Sequence, residues 1–516
     1  MTEADIIFRA ARTVTPDGKV PCAVVVRNGS IAALAPLDAR IDAAREVTLG
    51  PDEVLMAGIV DTHVHVNDPG RTEWEGFATA TRAAAAGGVT TLIDMPLNSI
   101  PPTCDVEALE LKRRTAAGSC HVDVGFWGGA IPRSLGSLRE LHEAGVFGFK
   151  CFLVDSGVEE FPALSYPQLE RAMQEISEFG GVLIVHAEDA ETIDLAVPAH
   201  GRHHADFLRS RPDSAEVTAI ERLIELSRRT GCRAHVLHLS SALALDVLAA
   251  ARADGVHVSV ETCPHYLSFT DGEIRPGATG FKCCPPIRSE DNRSALWAGL
   301  TSGTIDIVVS DHSPCTVDLK QMELGDFAAA WGGISSLQLG LPATWTQARA
   351  HGHSLSDLTR WMSARPAELF GLGQKGRIAA DCAADLCVFA PDETFTVRAA
   401  ALHHRNPVTA YEGRQLHGVV RSTWLSGEQI AEGGELVGSA PRGRLLRHRG
   451  VGALPEARDS GMIPGCSVIR RASSTSRLAA EDNDMPGFAA TKETSLSATG
   501  GSNLTGVAGR LLITTV

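Results

Sequence analysis

Two histidines, His63 and His65, stand two positions apart at the end of the apolar stretch 58–65. On a β-strand, residues two apart leave the same face, so both imidazoles can converge on one metal ion. The alternative is a pair of structural core histidines, but such pairs seldom stand beside a buried acid such as Asp61. The spacing therefore favours a bidentate metal clip.

Later apolar stretches each end in one more candidate ligand, namely Lys150, His186, His238 and Asp311. A lysine in such a place normally keeps its ammonium in water, because burying an unpaired charge costs several kcal/mol. His235 and His238 are three apart and point to opposite faces of a strand, so we choose His238, which is nearer the strand's end. If these strand ends share one mouth, the side chains predict a two-metal hydrolase.

The elements that position these residues alternate regularly along the chain. From residue 58 onward, apolar strands follow one another with amphipathic helices between them, such as the stretch 216–229. Strands are expected at 89–95, 148–152, 182–186, 234–238, 256–260 and 305–311. The alternation predicts an α/β fold in which residues 56–374 form a TIM-like (β/α)₈ barrel.

The two ends of this region share a different pattern. Short apolar runs separated by the turns Asp17-Gly18 and Asn28-Gly29 fill residues 5–34, and similar runs return at 385–389 and 418–424. We expect residues 1–55 and 375–446 to form one small β-sandwich. From 447 to 516 the composition turns to Ser, Thr, Gly and Ala without an apolar period, which predicts a disordered tail.

Composition excludes several classes of partner. The net charge of −15, without a basic stripe, argues against nucleic acid and anionic membranes. No apolar run reaches the ~18 residues that a bilayer span needs, and the first residues are acidic rather than signal-like. The 12 cysteines lack paired CxxC spacing and are expected to be reduced thiols. These features predict a cytoplasmic protein that acts on a small molecule.

The stretch 58–65, followed by Asp68-Pro69-Gly70-Arg71, resembles the cyclic amidohydrolases of the amidohydrolase superfamily. Within it, further motifs in the same order are most similar to those of the allantoinase family, and the similarity covers about residues 5–446. These motifs are Glu73-Trp74-Glu75-Gly76-Phe77, Phe149-Lys150-Cys151-Phe152, Cys263-Pro264-His265-Tyr266, Pro285-Pro286-Ile287-Arg288, Ser310-Asp311-His312-Ser313-Pro314 and Trp331-Gly332-Gly333.

The resemblance implies two divalent metal ions, most often zinc, bridged by Lys150 once CO₂ has converted its amine to a carbamate. His63, His65 and Asp311 would hold one ion, and His186 and His238 the other. A metal-bridging hydroxide would open the ring of allantoin to give allantoate in purine degradation, with Asp311 as general base and then acid. The resemblance also implies a homotetramer.

Three residues are candidates for substrate contact: Asn67, Cys284 and Ser313. Dihydroorotases resemble this chain but carry an arginine for the substrate carboxylate where this chain has Asn67. An amide suits a neutral ureide better than a carboxylate, although Asn-Asp-Pro-Gly is also a turn sequence. Cys284 stands where relatives often have a serine that touches substrate through its backbone.

Several motifs allow more than one interpretation. Arg71 either anchors a loop over the mouth or pairs with Glu73 or Glu75, and Trp331-Gly332-Gly333 either lends backbone donors or forms a turn. Hydantoinase, dihydropyrimidinase or dihydroorotase activity is the alternative to allantoin hydrolysis. A non-catalytic scaffold of the same fold should have lost ligands, and all six candidate ligands are present here, which favours an enzyme.

Overall fold

The computed structural model describes residues 4–448, so the predicted tail lies outside the described residues except for Arg447 and His448. The N-terminal strands belong to the sheet of the small domain, and the barrel strands follow. The N-terminal strands are β1 (Ala4–Thr15), β2 (Gly18–Arg27), β3 (Ser30–Ala35), β4 (Ala43–Thr48) and β5 (Val54–Ala57). The barrel strands are β6 (Ile59–Val64), β7 (Val89–Asp94), β8 (Asp123–Phe126), β9 (Gly128–Gly129), β10 (Phe149–Phe152), β11 (Val182–His186), β12 (Arg233–Val236), β13 (Val258–Thr262) and β14 (Ile307–Val308). The closing strands are β15 (Leu386–Thr396), β16 (Gln415–Leu425), β17 (Glu428–Glu432) and β18 (Glu435–Leu436).

Helices separate the barrel strands and pack outside them. They are α1 (Phe77–Ala86), α2 (Val106–Ala116), α3 (Leu138–Glu143), α4 (Tyr166–Glu178), α5 (Ala190–Leu195), α6 (His204–Ser210), α7 (Asp213–Thr230), α8 (Leu245–Ala253), α9 (Pro264–Ser268), α10 (Glu290–Ser302), α11 (Gly340–Ala350), α12 (Leu355–Thr359) and α13 (Arg365–Leu369). Local signals set several of their ends. The carboxylate of Asp105 accepts a hydrogen bond from Ala108 N at 2.8 Å at the start of α2, and α7 ends at Gly231 with φ 71°.

The barrel consists of two parallel arcs that meet at two seams. Strands β6, β7 and β8 form one arc, and β9 to β14 form the other. Phe147 N donates to Phe126 O at 3.0 Å at one seam, and His65 N donates to His312 O at 2.8 Å at the other. Since β9 is a two-residue strand after β8, eight principal strands close the ring. The predicted α/β barrel is confirmed.

Both ends of the described chain contribute to one sheet, in the order β18-β17-β16-β15-β5-β1-β2-β3, with β4 also paired to β1. The joint is the antiparallel pair β5 and β15, in which Met56 faces Cys387. Phe8 and Trp424 pack edge to face with ring centroids 4.8 Å apart and so bring the two ends into one core. The domain boundaries at 55, 375 and 446 stay a prediction.

A buried ionic cluster ties this sheet to the barrel. Lys375 Nζ lies 2.9 Å from Asp123 Oδ2, at the start of β8, and 2.6 Å from Asp385 Oδ2, just before β15. Arg444 N also donates to Asp123 at 2.8 Å. These contacts lie at the N-terminal ends of the strands, the side of such barrels that serves stability.

Within residues 4–448, no helix has the length and apolarity needed to cross a bilayer. The cysteines of this part of the chain are all free thiols, and every one except Cys284 is buried.

Candidate metal centre

The two histidines of the clip meet an aspartate from across the barrel. His63 Nε2 lies 3.1 Å, and His65 Nε2 3.7 Å, from Asp311 Oδ1. One ligand atom from each of the three residues lies within 4.8 Å of the others, and all three residues are buried. The seam between β6 and β14 brings them together, since Asp61 accepts hydrogen bonds from both His63 N and Ser310 N at 3.2 Å.

The second histidine pair lies directly beside the first. His186 ends β11 and His238 follows β12 by two residues, and their ring centroids are 4.6 Å apart. The ring of His238 is also 5.4 Å from that of His63. Burial lowers the pKa of both His186 and His238, which favours the neutral imidazole that ligates metals.

Lys150 is buried next to these rings without a hydrogen bond or ion pair to any residue in 4–448. Its Nζ lies 4.8 Å from the ring centroid of Phe152, and that ring stacks on His186 at 4.7 Å. Burial lowers the pKa of Lys150 to about 8, although Asp311 and Glu261 act in the opposite direction. The amine is therefore far easier to deprotonate than an ordinary lysine.

Backbone geometry sets some site residues apart. His238 has φ 35°, Asp311 has φ 41° and Asn67 has φ 65°, all in the left-handed region. Such conformations cost about 1 to 3 kcal/mol each and persist where the surrounding structure enforces them, often at functional sites. His238 and Asp311 each leave their strand in this way, which turns their side chains toward the other ligands.

Glu261, at the C-terminal part of β13, holds two ligand residues of the centre and the neighbouring His235, and it was not among the candidates from sequence. Its carboxylate lies 2.5 Å from His63 Nδ1 and 3.0 Å from His235 Nε2, and it accepts a hydrogen bond from His238 N at 3.1 Å. It thereby leaves His63 Nε2 free to face Asp311. The feature of the sequence that could have identified Glu261 is an acidic residue inside an apolar strand.

Glu188 plays a similar part for His186 and was also missed. Its Oε2 lies 2.7 Å from His186 Nε2 and accepts from Arg211, which leaves His186 Nδ1 for another partner. Burial would raise the pKa of this carboxyl, but Arg211 and His186 outweigh it and lower the pKa to about 2. A carboxylate on the second nitrogen of a histidine is the usual support of a metal-bound imidazole.

The donor set fits divalent cations. His238 Nδ1 is buried and has no hydrogen-bond partner among the described residues, and buried His63 Nε2 lies close to Asp311 Oδ1 without forming a hydrogen bond to it. Burial opposes a charge on His63, yet Asp311 and Glu261 outweigh it and raise its pKa to about 9. The local field therefore favours a positive charge at this point, and imidazoles with carboxylates are ligands that zinc and related metals accept.

Comparison with known proteins agrees with this chemistry. The amidohydrolase family profile matches residues 54–430. This chain belongs to the amidohydrolase family. It is 59% identical to the allantoinase of Streptomyces avermitilis over 447 residues, which cover 86% of this chain and 99% of that protein. It is 46% identical to the allantoinase of Saccharomyces cerevisiae over 398 residues, 76% of this chain and 86% of that one.

A solved structure of similar shape is the L-hydantoinase (dihydropyrimidinase) from Arthrobacter aurescens. It aligns with a TM-score of 0.82 and 31% identity, over 87% of this chain and 100% of that chain. The similarity to allantoinases that the motifs indicate is thus confirmed, and so is the class of metal-dependent cyclic amidohydrolase.

In this amidohydrolase, Asn67 is buried and its side chain does not cap the turn that follows it. Its Nδ2 donates to Pro314 O at 3.3 Å, and its buried Oδ1 has no hydrogen-bond partner among the described residues. Ser313 Oγ donates to Asp311 Oδ1 at 2.7 Å, so its hydroxyl orients the aspartate.

Cys284 is half-buried and lines a cavity of about 420 Å³ together with Arg211 and Lys282. The segment Trp331-Gly332-Gly333 runs close to the site, because a Cβ on Gly333, at φ 112°, would lie 2.3 Å from Ser313 O. Only glycine tolerates that approach.

Arg71 pairs with neither Glu73 nor Glu75. Its guanidinium donates to Asn98 O at 2.8 Å and to Glu160, and it lies over the ring of Trp74. Arg71 therefore joins separate loops, in agreement with the loop-anchoring interpretation.

Proposed function

We propose that this protein opens the hydantoin ring of allantoin by metal-dependent hydrolysis and releases allantoate. The observation that carries the proposal is the convergence of four imidazoles, one aspartate and one unpaired buried lysine at a single place in the barrel. The 59% identity to an allantoinase selects the substrate within the cyclic amides.

In this proposal, His63, His65 and Asp311 would hold one divalent cation, most often zinc, while His186 and His238 would hold the other. Lys150, as a carbamate, would be a ligand shared by both. The carbamate forms when the neutral amine nitrogen attacks the carbon of CO₂ and loses one proton, which turns a cation that cannot ligate into an anion with two oxygens. When bound, the two cations supply a water of near-neutral pKa and polarise a ring carbonyl.

Asp311 moves the proton that hydrolysis requires. Its carboxylate takes the proton of the attacking water and delivers it to the departing ring nitrogen, because an amide nitrogen leaves poorly unless it is protonated. Ser313 holds the carboxylate through the 2.7 Å hydrogen bond to Oδ1. Asn67 Oδ1, which is buried and unpaired, accepts a hydrogen bond from a ureide N–H.

A plain 5-substituted hydantoin, which lacks the ureido group of allantoin, is the second candidate substrate, since similar solved structures are hydantoinases. Dihydroorotate is disfavoured, because the neutral amide of Asn67 offers no charged fork for its carboxylate. We keep Cys284 as a backbone contact to substrate, and the homotetramer and cytoplasmic location as further proposals.

The test is a ring-opening assay of allantoin, a 5-substituted hydantoin and dihydroorotate on protein of known metal content. We expect allantoin to give the highest kcat/KM, chelator treatment to abolish turnover, and added divalent metal with bicarbonate to restore it. Preference for the plain hydantoin would transfer the assignment to the hydantoinases. Turnover that survives complete removal of metal would refute the mechanism.

A further inference from the structure

Beside the proposed two-metal centre lies a second group of three buried donors, of which the mechanism uses only Asp311 and not Cys263 or His265. One ligand atom each from Cys263, His265 and Asp311 lies within 4.8 Å of the other two. This is the same spacing that defines the cluster of His63, His65 and Asp311. Two ligands on opposite sides of a zinc ion are at most about 4.6 Å apart, so small side-chain rotations suffice to close the site.

His265 gives this group its independent support. Its imidazole is fully buried, and neither Nδ1 nor Nε2 has a hydrogen-bond partner among the described residues. An unpaired buried polar atom costs about 1 to 3 kcal/mol. By contrast, the equally buried His235 places Nδ1 2.8 Å from Ser259 Oγ and Nε2 3.0 Å from Glu261 Oε2. Both ring nitrogens of His265 are therefore available to a metal ion, whereas both ring nitrogens of His235 are engaged with neighbouring side chains, as in a structural residue.

Local structure holds the two new donors together. Cys263 immediately precedes α9 and His265 lies in its first turn, directly after β13. The thiol of Cys263 is buried and has no hydrogen bond within residues 4–448. Asp311 contacts His63, His65 and Ser313 through Oδ1, and its second carboxylate oxygen accepts no hydrogen bond from the described residues.

We propose that Cys263, His265 and Asp311 form an additional site for a thiophilic divalent cation such as Zn²⁺ or Co²⁺, and that filling it inhibits the enzyme. Binding forms a sulfur–metal bond and releases the thiol proton to solvent. Zinc and cobalt accept sulfur, nitrogen and oxygen together, whereas Mg²⁺ and Ca²⁺ prefer oxygen. The cation would neutralise Asp311 and restrain the carboxylate that moves the proton. The inhibition therefore rests on the proposed function, whereas the binding of the cation does not.

The binding test uses metal-loaded full-length protein after dialysis, titrated with Co²⁺ and followed by absorption in the near ultraviolet. We expect a thiolate-to-cobalt charge-transfer band that grows with the added metal. Cys263→Ser should remove the band, because the band originates on the thiolate sulfur, and His265→Gln should weaken it. Cys387→Ser, which alters a buried thiol in β15, should leave it unchanged. Absence of the band, or its persistence in Cys263→Ser, would overturn the proposal.

The inhibition test measures allantoin turnover at rising Zn²⁺. We expect excess zinc to inhibit the native protein and the Cys387→Ser control alike, with half-inhibition in His265→Gln at about tenfold higher zinc or more, since a lost ligand costs at least that factor in affinity. A cobalt–thiolate band without allantoin turnover would refute the proposed function and retain this site. Metal-dependent turnover of allantoin without the band would support the proposed function and refute the additional site.

Discussion

Two buried lysines, one near the mouth of the barrel and one at the N-terminal ends of its strands, have opposite surroundings. Lys375 is held between Asp123 and Asp385 at 2.9 and 2.6 Å, whereas Lys150 has no acceptor within residues 4–448. Burial opposes the charge of both, but the two aspartates raise the pKa of Lys375, while the pKa of Lys150 falls to about 8. A buried lysine with acidic partners supports the fold, whereas a buried lysine without a partner indicates a residue that is modified or takes part in the reaction.

The largest effect is expected from Lys150→Met, which keeps the volume and removes the amine. Turnover should fall on the order of 10³-fold or more, equivalent to ~4 kcal/mol, because the proposed two-metal centre loses its shared ligand. The stability of the metal-free protein should change by less than about 1 kcal/mol, since no ion pair is broken. Steady-state kinetics and urea unfolding measure these two quantities, and metal analysis shows whether the cations are lost.

The smaller Lys150→Ala serves as the companion variant. It leaves space for a short carboxylic acid, and acetate or formate should restore part of its turnover. Full activity in either variant without added acid would show that Lys150 does not bridge the metals.

Lys375→Met is the matched change at the other end of the barrel. Removal of one partner leaves Asp123 and Asp385 buried and uncompensated, which should cost about 3 to 5 kcal/mol of unfolding free energy. At temperatures well below unfolding, kcat/KM should stay within a fewfold of the native value. A loss of turnover without a loss of stability would remove the distinction between the two lysines.

The same pair has an expected pH dependence. Because the pKa of Lys375 is raised in the folded state above its ordinary value of 10.5, its charge stabilises the fold fully below that value. The contribution is lost as the pH rises through the folded-state pKa. The difference in unfolding free energy between the native protein and Lys375→Met should therefore shrink at strongly alkaline pH. If the difference in unfolding free energy stays constant at alkaline pH, the ion pairs of Lys375 are not the cause of that difference.

Glu261→Gln tests a group that lies at the mouth but is fully paired. We expect metal affinity to fall about 10- to 100-fold, because Glu261 fixes His63 and the backbone of His238. Metal binding measured by competition with a chromogenic chelator gives this value. Glu216→Gln is the matched control, since Glu216 is also buried but pairs with Arg288. Equal metal loss in both variants would mean that Glu261 acts only through stability.

The apolar runs predict the barrel well where strands are buried on both faces. The stretch 182–186 predicts a strand, and β11 has those bounds. The stretch 305–311 predicts a long strand, but β14 keeps only Ile307–Val308. Beyond it, Ser310 N bonds the side chain of Asp61 and Asp311 takes a left-handed φ, so the site interrupts the sheet.

The supporting acids could not be identified from local pattern. Glu261 reaches His63 across 198 positions of the chain, and only the closed barrel brings the two together. The ligands themselves were accessible because each follows an apolar stretch. His238 shows the limit of that reasoning, since β12 ends at Val236 and the histidine reaches the site through its φ of 35° rather than as part of the strand.

The smallest effect is expected at Asn67, where one atom is paired and the other is not. Asn67→Ala removes the unpaired buried Oδ1, and the loss of one neutral hydrogen bond to the ureide should raise KM for allantoin by up to about tenfold. The value of kcat and the metal content should change little.

Asn28→Ala is the control, because Asn28 also has a left-handed φ, 52°, but lies in the turn between β2 and β3. Alanine at either position meets the same backbone strain, but Asn67→Ala also loses the hydrogen bond to Pro314 O, so its stability should fall further. A higher KM in Asn67→Ala alone assigns the unpaired oxygen to substrate. An unchanged KM in Asn67→Ala would mean that Asn67 contributes to the backbone turn and its packing and not to substrate binding.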